Sequence, residues 1–304
     1  MSADADAAPL HLALAATLKI VPPAPHRAAA LRAQLLQRVA QSVAAHREYT
    51  TIRVEDGPWL PAAQGVVRRL LRGDGSTRVE IQRLSAGATL PWPDDAGAQE
   101  ILLLHGAWAG AGGCAGAGGS ASPTGAPATA VPGAMGYGVR QRSAADQPLV
   151  AAVDTTVYVR HLLCAQDRLP ALEARWWALA TAHPAWVDLS RRHWHASADG
   201  VEVLPLRGDA DVVSMLVRFA AGAHVPDHGH AIDEDCLVLQ GEMFLGDILL
   251  RAGDYQLAPA GGTHFGETSD VGVLFFFHGA LDPVLRGGAA AAGAAATNLG
   301  SQAL

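Results

Sequence analysis

The chain contains one segment of 48 residues twice. When the sequence is shifted by 135 positions, residues 59–106 align without a gap with residues 194–241, and 17 of the 48 pairs are identical. The tetrad LRGD, which begins at Leu71 and again at Leu206, is among the identities. A repeat of this length indicates two copies of one structural unit. We therefore expect two similar domains within the 304 residues.

Both copies have the pattern of β-structure. From about residue 50, short apolar runs alternate with Gly, Pro and Asp turns, which is typical of an all-β domain. Two stretches, at 28–48 and near 170–182, instead repeat apolar residues at helical spacing. The sequence therefore predicts an all-β protein with an N-terminal helix and an interdomain helix.

The predicted domain organisation follows from these patterns and from low-complexity segments. A glycine- and alanine-rich stretch at 109–133 reads as a flexible loop inside the first unit. In chain order we predict a disordered N-terminus (1–27), a helix (28–48), a first β domain (49–165), a helical linker (166–190), a second β domain (191–284) and a disordered tail (285–304).

Composition limits the partners and the compartment. The net charge is −7, only 17% of residues are charged and no basic run is present, so nucleic acid is not an expected partner. The three cysteines, Cys114, Cys164 and Cys236, are widely spaced, which fits a reducing compartment. No apolar run reaches the roughly 18 residues needed to span a bilayer. We expect a cytoplasmic protein without membrane contact.

A cluster of metal-binding residue types lies in the second unit, in GAHVPDHGHAIDEDCLVLQG at 222–241. His228 and His230 are two residues apart and so share one face of a strand. Glu234 follows after a turn, and the later stretch GDYQLAPAGGTHFGET delivers His264 after another turn. Three imidazoles and one carboxylate suit Zn, Fe, Mn, Ni or Cu, and do not suit Ca or Mg.

The spacing of these residues resembles the two sequence motifs of the cupin family. Gly222, His228, His230, Glu234 and Gly241 fit the first motif, and Gly253, Pro259, Gly261 and His264 fit the second. Thr268 stands where the second motif usually has Asn. The resemblance implies two double-stranded β-helix barrels, a bicupin. It also implies one divalent transition metal ion per chain, with Zn or Fe favoured over Mn or Ni, held by His228, His230, Glu234 and His264.

The closer resemblance is to ChrR-like cupins. The stretches LRAQLLQRV, DGPW and GVVRRLL, and the form of the histidine motif, are similar to that group. ChrR-like anti-sigma factors bind zinc through the cupin and grip the sigma factor with a separate N-terminal zinc domain. Here about 26 residues precede the helix and no Cys precedes Cys114. We therefore expect a chain without the sigma-binding domain, which argues against sigma-factor binding by that route.

The first unit lacks the metal ligands. The repeat aligns His228, His230 and Glu234 with Pro93, Asp95 and Gln99. Asp95 and Glu100 remain, but two carboxylates without imidazoles make a poor transition-metal site. We interpret the first barrel as a metal-free structural partner. The alternative is that its pocket has changed to take a different ligand.

Several neighbours of the motif could serve the site. His224 is either a second donor group near the metal or a surface histidine, and Cys236 is either a redox-sensitive thiol or plain packing. Asp233 and Asp235 should mostly face solvent, although Asp235 could replace Glu234 as a ligand. An apolar barrel lining is expected from Met243, Phe244, Leu257, Phe275 and Phe277. His161 and His278 end equivalent strands and are expected to be structural.

Three functions fit these features. The first is a regulatory or sensing metal-binding protein, as the ChrR resemblance implies. The second is a metal-dependent dioxygenase that acts on a small diketone or hydroxyketone, although no separate catalytic acid or base is visible in the sequence. The third is a structural zinc site. Expected partners are a small-molecule ligand and, given the Trp-rich middle of the chain, a second copy in a homodimer.

Overall fold

The computed structural model describes residues 24–109, 136–142, 148–182, 186–189 and 192–281. The predicted flexible loop at 109–133, apart from Ala109, and the predicted tail at 285–304 lie outside these residues, as does most of the predicted N-terminal segment. Within them, three sheets, of ten, seven and two strands, and two α-helices are formed, so the all-β prediction with an N-terminal and an interdomain helix is confirmed.

The first helix, α1, spans Pro25–Glu48. It begins three residues before the predicted start because proline, with its fixed φ and missing N–H, suits the first helical position. The chain divides into two compact units after Ala45, so most of α1 belongs to the first of them. The residues of the predicted apolar stripe are exposed, with 43–61% of their surface accessible: Leu31, Leu35, Val39 and Val43.

A short strand, β1 (Thr50–Ile52), precedes the first barrel. In the described residues that barrel has seven antiparallel strands: β2 (Leu60–Ala63), β3 (Val66–Gly73), β4 (Thr77–Leu84), β5 (Ala98–His105), β6 (Gly136–Gln141), β7 (Thr155–Leu162) and β8 (Trp186–Asp188). Their order in the sheet is β2-β3-β4-β7-β5-β6-β8. Helix α2 (Ala171–Ala182) lies between β7 and β8 and buries Trp176 and Trp177 completely.

The second barrel repeats this arrangement in the rest of the described chain. Its strands are β9 (His195–Ala198), β10 (Val201–Gly208), β11 (Val212–Phe219), β12 (His224–Val225), β13 (His228–Gly229), β14 (Glu234–Leu245), β15 (Ile248–Arg251), β16 (Tyr255–Ala258), β17 (Thr263–His264), β18 (Glu267–Thr268) and β19 (Val273–Ala280). The main sheet has the order β1-β16-β14-β19-β11-β10-β9. Strand β13 pairs with β17, and β12 pairs with β18.

The short strand that precedes each barrel in the sequence, β1 or β8, pairs with a strand of the other barrel. Strand β1 pairs with β16 of the second barrel, and β8 pairs with β6 of the first. The sequence analysis placed the residues of β1 in the first domain (49–165) and those of β8 in the helical linker (166–190), and it predicted neither pairing. The difference arises because a three-residue strand has no periodic pattern from which its pairing partner could be predicted. Each barrel thus covers an edge of the other, which satisfies backbone groups that an open edge would expose.

The glycines shared by the repeats close equivalent turns. Gly106 and Gly241 have φ values of 99° and 75°, which side chains rarely adopt. A Cβ atom at Gly241 would lie 2.1 Å from the carbonyl oxygen of Gly272, and one at Gly106 would lie 2.4 Å from Thr155 Oγ1. Glycine recurs at this position because the backbone leaves no room for anything larger.

Strands β7 and β19 occupy equivalent places and meet at the interface between the barrels. The rings of Tyr158 and Phe276 lie 5.0 Å apart. Next to them, Arg160 Nη2 donates to His278 Nδ1 over 3.0 Å, so the other ring nitrogen carries the proton and donates to Glu173 Oε2 over 2.9 Å. Arg160 Nη1 also donates to Glu173 on α2. His278 thus has a structural role at this interface, in agreement with the prediction.

Candidate metal centre

The four residues predicted to bind a metal are brought together by main-chain pairing. Strands β13 and β17 are antiparallel, and His228 lies directly opposite His264. The backbone of His230 continues this pairing, since its N–H donates to Gly262 O and its carbonyl accepts from Gly261 N. The two sequence motifs therefore meet at the end of the barrel where β14 begins with Glu234.

These four side chains form one compact buried cluster. One nitrogen or oxygen atom from each of them lies within 4.8 Å of all the others. Bonds of about 2.0–2.2 Å to a shared ion would place any two donors at most ~4.4 Å apart, so the cluster needs only a small contraction to hold one ion. All four are buried, with exposed fractions of 2–6%: His228, His230, Glu234 and His264.

Hydrogen bonding and burial prepare two of the histidines to bind a metal ion. His228 Nδ1 lies 2.9 Å from the carbonyl oxygen of Pro226, and a carbonyl can only accept, so Nδ1 carries a proton and Nε2 is the nitrogen left to face a metal ion. Burial, followed by the proximity of His230 and His228, holds the pKa of His264 well below its usual value, so its ring is neutral. His264 Nε2 is buried without a hydrogen-bond partner, as expected of an atom reserved for a ligand.

The carboxylate is positioned by the strand opposite it. Glu234 Oε2 lies 3.5 Å from His230 Nε2 and 4.0 Å from His264 Nδ1. Its side chain passes over Gly279 on β19, where a Cβ atom would lie only 2.7 Å from Glu234 Cγ. Glycine at this position therefore makes the room that the carboxylate occupies. Together, the donor types, the neutral ring of His264 and the spacing fit a divalent transition metal.

A small cavity adjoins the cluster. Its volume is about 20 Å³, enough for roughly one water-sized group. It is lined by His228, Glu234, Cys236, Met243, Leu245, Gln256, Ala258, His264, Glu267, Phe275 and Phe277. Of the predicted apolar lining, Met243, Phe275 and Phe277 are confirmed. Phe244 and Leu257 are half-buried elsewhere.

Sequence reasoning missed one acidic group in this cavity. Glu267 is buried, and its Oε2 lies 3.9 Å from His228 Nε2. Burial raises the pKa of this carboxyl to about 7. The available signal was its position in the second motif, three residues after His264 and directly before the Thr268 that departs from the family pattern. Strand β18 turns Glu267 inward, and its pairing with β12 became visible only in the structure.

The prediction that Asp233 and Asp235 mostly face solvent is wrong for Asp235. Asp235 is completely buried and accepts a hydrogen bond from Tyr255. Both aspartates contact Arg72 of the first barrel, and neither belongs to the His/Glu cluster. Asp235 is therefore not an alternative to Glu234. The local sequence could not show this, because the partner lies in the other repeat.

Two further neighbours separate into packing and surface. Cys236 lines the cavity, as its parity with Glu234 predicted. Burial, reinforced by the nearby carboxylates of Glu267 and Glu234, raises the pKa of its thiol well above the ordinary value. Cys236 is thus held as the unreactive thiol. His224 is exposed on β12, and the break in the strand at Pro226 separates it from the cluster, so it is a surface histidine.

The equivalent place in the first barrel is filled. Gln99, which replaces Glu234, accepts a hydrogen bond from Arg140 Nε over 2.6 Å and lies 3.2 Å from His161 Nδ1 through its amide nitrogen. His161 itself lies 3.6 Å from Glu80 through its other ring nitrogen. Among the described residues, a group of residues suited to hold a metal ion is found only in the second barrel.

Part of the chain matches a known family of domains. Residues 182–282 match the family model of the ChrR cupin-like domain. The match covers the second barrel, which is therefore similar to a ChrR-like cupin domain. No curated protein is significantly similar to the chain in sequence. Within the described residues, no helix is both long and apolar enough to cross a membrane.

Solved structures with the cupin fold resemble both barrels together. A candidate dioxygenase from Nostoc punctiforme superimposes with a TM-score of 0.51 at 15% identity and covers 79% of this chain and 85% of its own. The protein YlbA from E. coli gives a TM-score of 0.51 at 11% identity and covers 78% of this chain and 92% of its own. At such low identities the similarity establishes the cupin fold alone.

Proposed function

We propose that the protein is a regulatory or sensing cupin that binds one divalent transition metal ion per chain through His228, His230, Glu234 and His264. The observation that carries the proposal is a sealed cluster of four buried donors. Its adjoining cavity has a volume of about 20 Å³, which leaves space for one water-sized ligand. Such a site favours retention of an ion and exchange of one small ligand.

The ChrR-like cupin domain supports a regulatory role, because the resemblance is to zinc-binding regulators. When bound, a zinc ion would supply Lewis acidity alone, whereas iron or manganese would add redox chemistry. The chain supplies imidazoles, the Glu234 carboxylate and an apolar wall formed by Phe275 and Phe277. Because Cys236 is held as a thiol, we do not expect it to react readily with an oxidant.

The dioxygenase hypothesis requires more space than this conformation provides. Pentane-2,4-dione has seven non-hydrogen atoms, whereas the cavity holds roughly one water-sized group. Turnover would therefore require β13, β17 or the turn before His264 to open. This requirement separates the two hypotheses by experiment.

The test compares the metal-free protein with protein loaded with Zn²⁺ or, without oxygen, with Fe²⁺. Hydrogen exchange should slow on loading in residues 226–234 and 259–268, which carry the ligands, and removal of the metal should reverse the change. Oxygen uptake by the Fe²⁺ form should stay at background after addition of pentane-2,4-dione. Sustained oxygen consumption that depends on the diketone would contradict the regulatory proposal and support the dioxygenase.

A matched control keeps this test specific. His224→Ala removes an exposed histidine from the same barrel, so its exchange pattern on metal loading should equal that of the wild type. His264→Ala removes a donor and should abolish the protection. If both variants respond to the metal like the wild type, the ion binds elsewhere and the proposed site is wrong.

A further inference from the structure

One arginine of the metal-free barrel reaches the metal-binding motif of the other barrel. Arg72 Nη2 lies 2.6 Å from Asp233 Oδ2, and Arg72 Nη1 lies 3.4 Å from both carboxylate oxygens of Asp235. Only 10% of the arginine side chain is exposed. The two aspartates immediately precede and follow Glu234 in the sequence. Because side chains alternate along a strand, holding both aspartates on one face favours an inward direction for Glu234 on the other.

The chain is built to aim this side chain. Strand β3 has a β-bulge between Leu70 and Arg72, and a bulge re-aims the residues next to it. Asp74 then fixes the following turn by accepting the backbone N–H groups of Ser76 and Thr77. The same carboxylate accepts from Arg72 Nε over 2.7 Å. Arginine and aspartate of the LRGD tetrad thus act together to present the guanidinium.

The contacts continue from the first metal-binding motif to the second. Asp233 Oδ1 accepts a hydrogen bond of 2.9 Å from the backbone N–H of Ala260, in the turn that leads to His264. Asp235 accepts from the hydroxyl of Tyr255, on the strand that precedes this turn. A planar guanidinium with several donors suits such a junction, where a lysine would reach fewer partners. Arg72 therefore connects the segments that carry Glu234 and His264.

The repeat provides an internal comparison. The equivalent of Arg72 is Arg207, which also follows a β-bulge, in β10. The equivalent of Asp233, however, is Ala98, so the first barrel offers no carboxylate at that position. The next residue, Gln99, stands where the second barrel has Glu234. Arg72 contacts both residues that flank Glu234, in the barrel that carries the metal-binding cluster.

From this geometry we propose that Arg72 is a positioning residue of the metal site, through which the metal-free barrel holds the Glu234 carboxylate and the turn before His264 in register. The inference rests on the proposed function, because it presupposes that the cluster binds a metal ion. On this proposal, the first barrel contributes Arg72 to the metal site of the second barrel. Removal of Arg72 should weaken metal binding without removing any ligand.

The test measures Zn²⁺ affinity of the full-length protein by competition with a chromophoric chelator, together with the visible absorption of the Co²⁺ form. Arg72→Met should bind Zn²⁺ about 10- to 100-fold more weakly, the usual effect of losing a group that orients ligands, and should shift the Co²⁺ bands. Arg72→Lys should lie between this variant and the wild type. The control Arg68→Met removes an ion pair with Glu80 from the same strand and should change affinity less than about twofold.

The outcomes distinguish the inference from the proposed function. Wild-type protein that takes up no Zn²⁺ would overturn both. Zn²⁺ affinity and Co²⁺ spectra of Arg72→Met equal to those of the wild type would overturn the positioning role alone. Should Arg72→Met fail to fold, Asp233→Asn tests the same connection at a half-exposed side chain. We expect at least about fivefold weaker Zn²⁺ binding for Asp233→Asn, and unchanged binding would reject the role of Arg72.

Discussion

The two barrels share turns, bulges and an exchange of first strands, yet their interiors are opposite in character. In the second barrel Glu234 faces three imidazoles and a small cavity. In the first, the equivalent Gln99 is hydrogen-bonded to Arg140 and to His161. The comparison teaches that the strands and the interface maintain the fold, whereas a few interior positions decide whether a barrel can hold a metal ion.

The decisive positions include one that contributes no ligand. Gly279 of β19 leaves space for Glu234, and the equivalent residue of β7 is His161, which fills that space in the first barrel. Where the second barrel has the carboxylate of Glu234 next to Gly279, the first barrel has the amide of Gln99 next to His161. Only the arrangement in the second barrel leaves a group of donors for an ion, among them the buried His264 Nε2, which has no hydrogen-bond partner.

The largest effect is expected from removing two ligands of the second barrel. The double variant His228→Ala, His264→Ala should lose metal binding in the whole chain, because the described residues of the first barrel offer no second group of metal-binding side chains. Metal per chain, measured by elemental analysis after loading and desalting, should fall from near one to near zero. A double variant that still holds one ion per chain would show that the first barrel binds metal.

The interface between the barrels should matter next. Arg160 is buried and pairs with Glu100 and Glu173. Arg160→Met leaves both carboxylates buried without their partner, which typically costs about 3–5 kcal/mol of unfolding free energy. Urea unfolding should report this loss, whereas Arg142→Met, at an exposed ion pair with Asp94, should change stability by less than about 1 kcal/mol. Equal effects would mean that the buried network does not join the barrels.

Glu267 gives the second barrel a dependence on pH. The pKa of Glu267 in the folded protein is about 7, above the ordinary value of 4.5. The metal-free protein therefore loses stability as the pH rises from 4.5 to about 7, because the unfolded chain ionises this carboxyl first. Glu267→Gln should therefore stabilise the metal-free form at about pH 8, by an amount on the order of 3 kcal/mol, and have little effect at about pH 4. Urea unfolding at both pH values checks this. A stability difference that does not vary with pH would contradict the buried, raised carboxyl.

The smallest change sharpens the comparison at Gly279. Gly279→Ala places a methyl group 2.7 Å from Glu234 Cγ, so we expect a loss of about 1–3 kcal/mol and weaker Zn²⁺ binding. The control Gly97→Ala in the first barrel meets its nearest atom only at 4.0 Å and should leave Zn²⁺ binding unchanged. If Gly279→Ala binds Zn²⁺ as tightly as the wild type, the space over Gly279 is not needed by the carboxylate.

Much of this architecture could be predicted from the sequence. The repeat and the β rhythm led to two β units, because strand alternation and tight turns are local properties. The resemblance of the motif spacing to cupins then implied the two barrels and the four clustered residues. Contacts between distant segments could not be predicted in this way. The exchange of β1 and β8, the burial of Asp235 by Arg72 and the inward turn of Glu267 all depend on partners far away in the chain.

The central claim, one metal ion in the second barrel and none in the first, is tested most directly by the metal content of the wild-type chain. The protein would be purified without oxygen or added metal, then loaded with excess Zn²⁺, desalted and analysed for all transition metals. We expect the transition metals together to add up to about one ion per chain after loading. Two ions per chain would show that the first barrel also binds metal, and none would contradict the site itself.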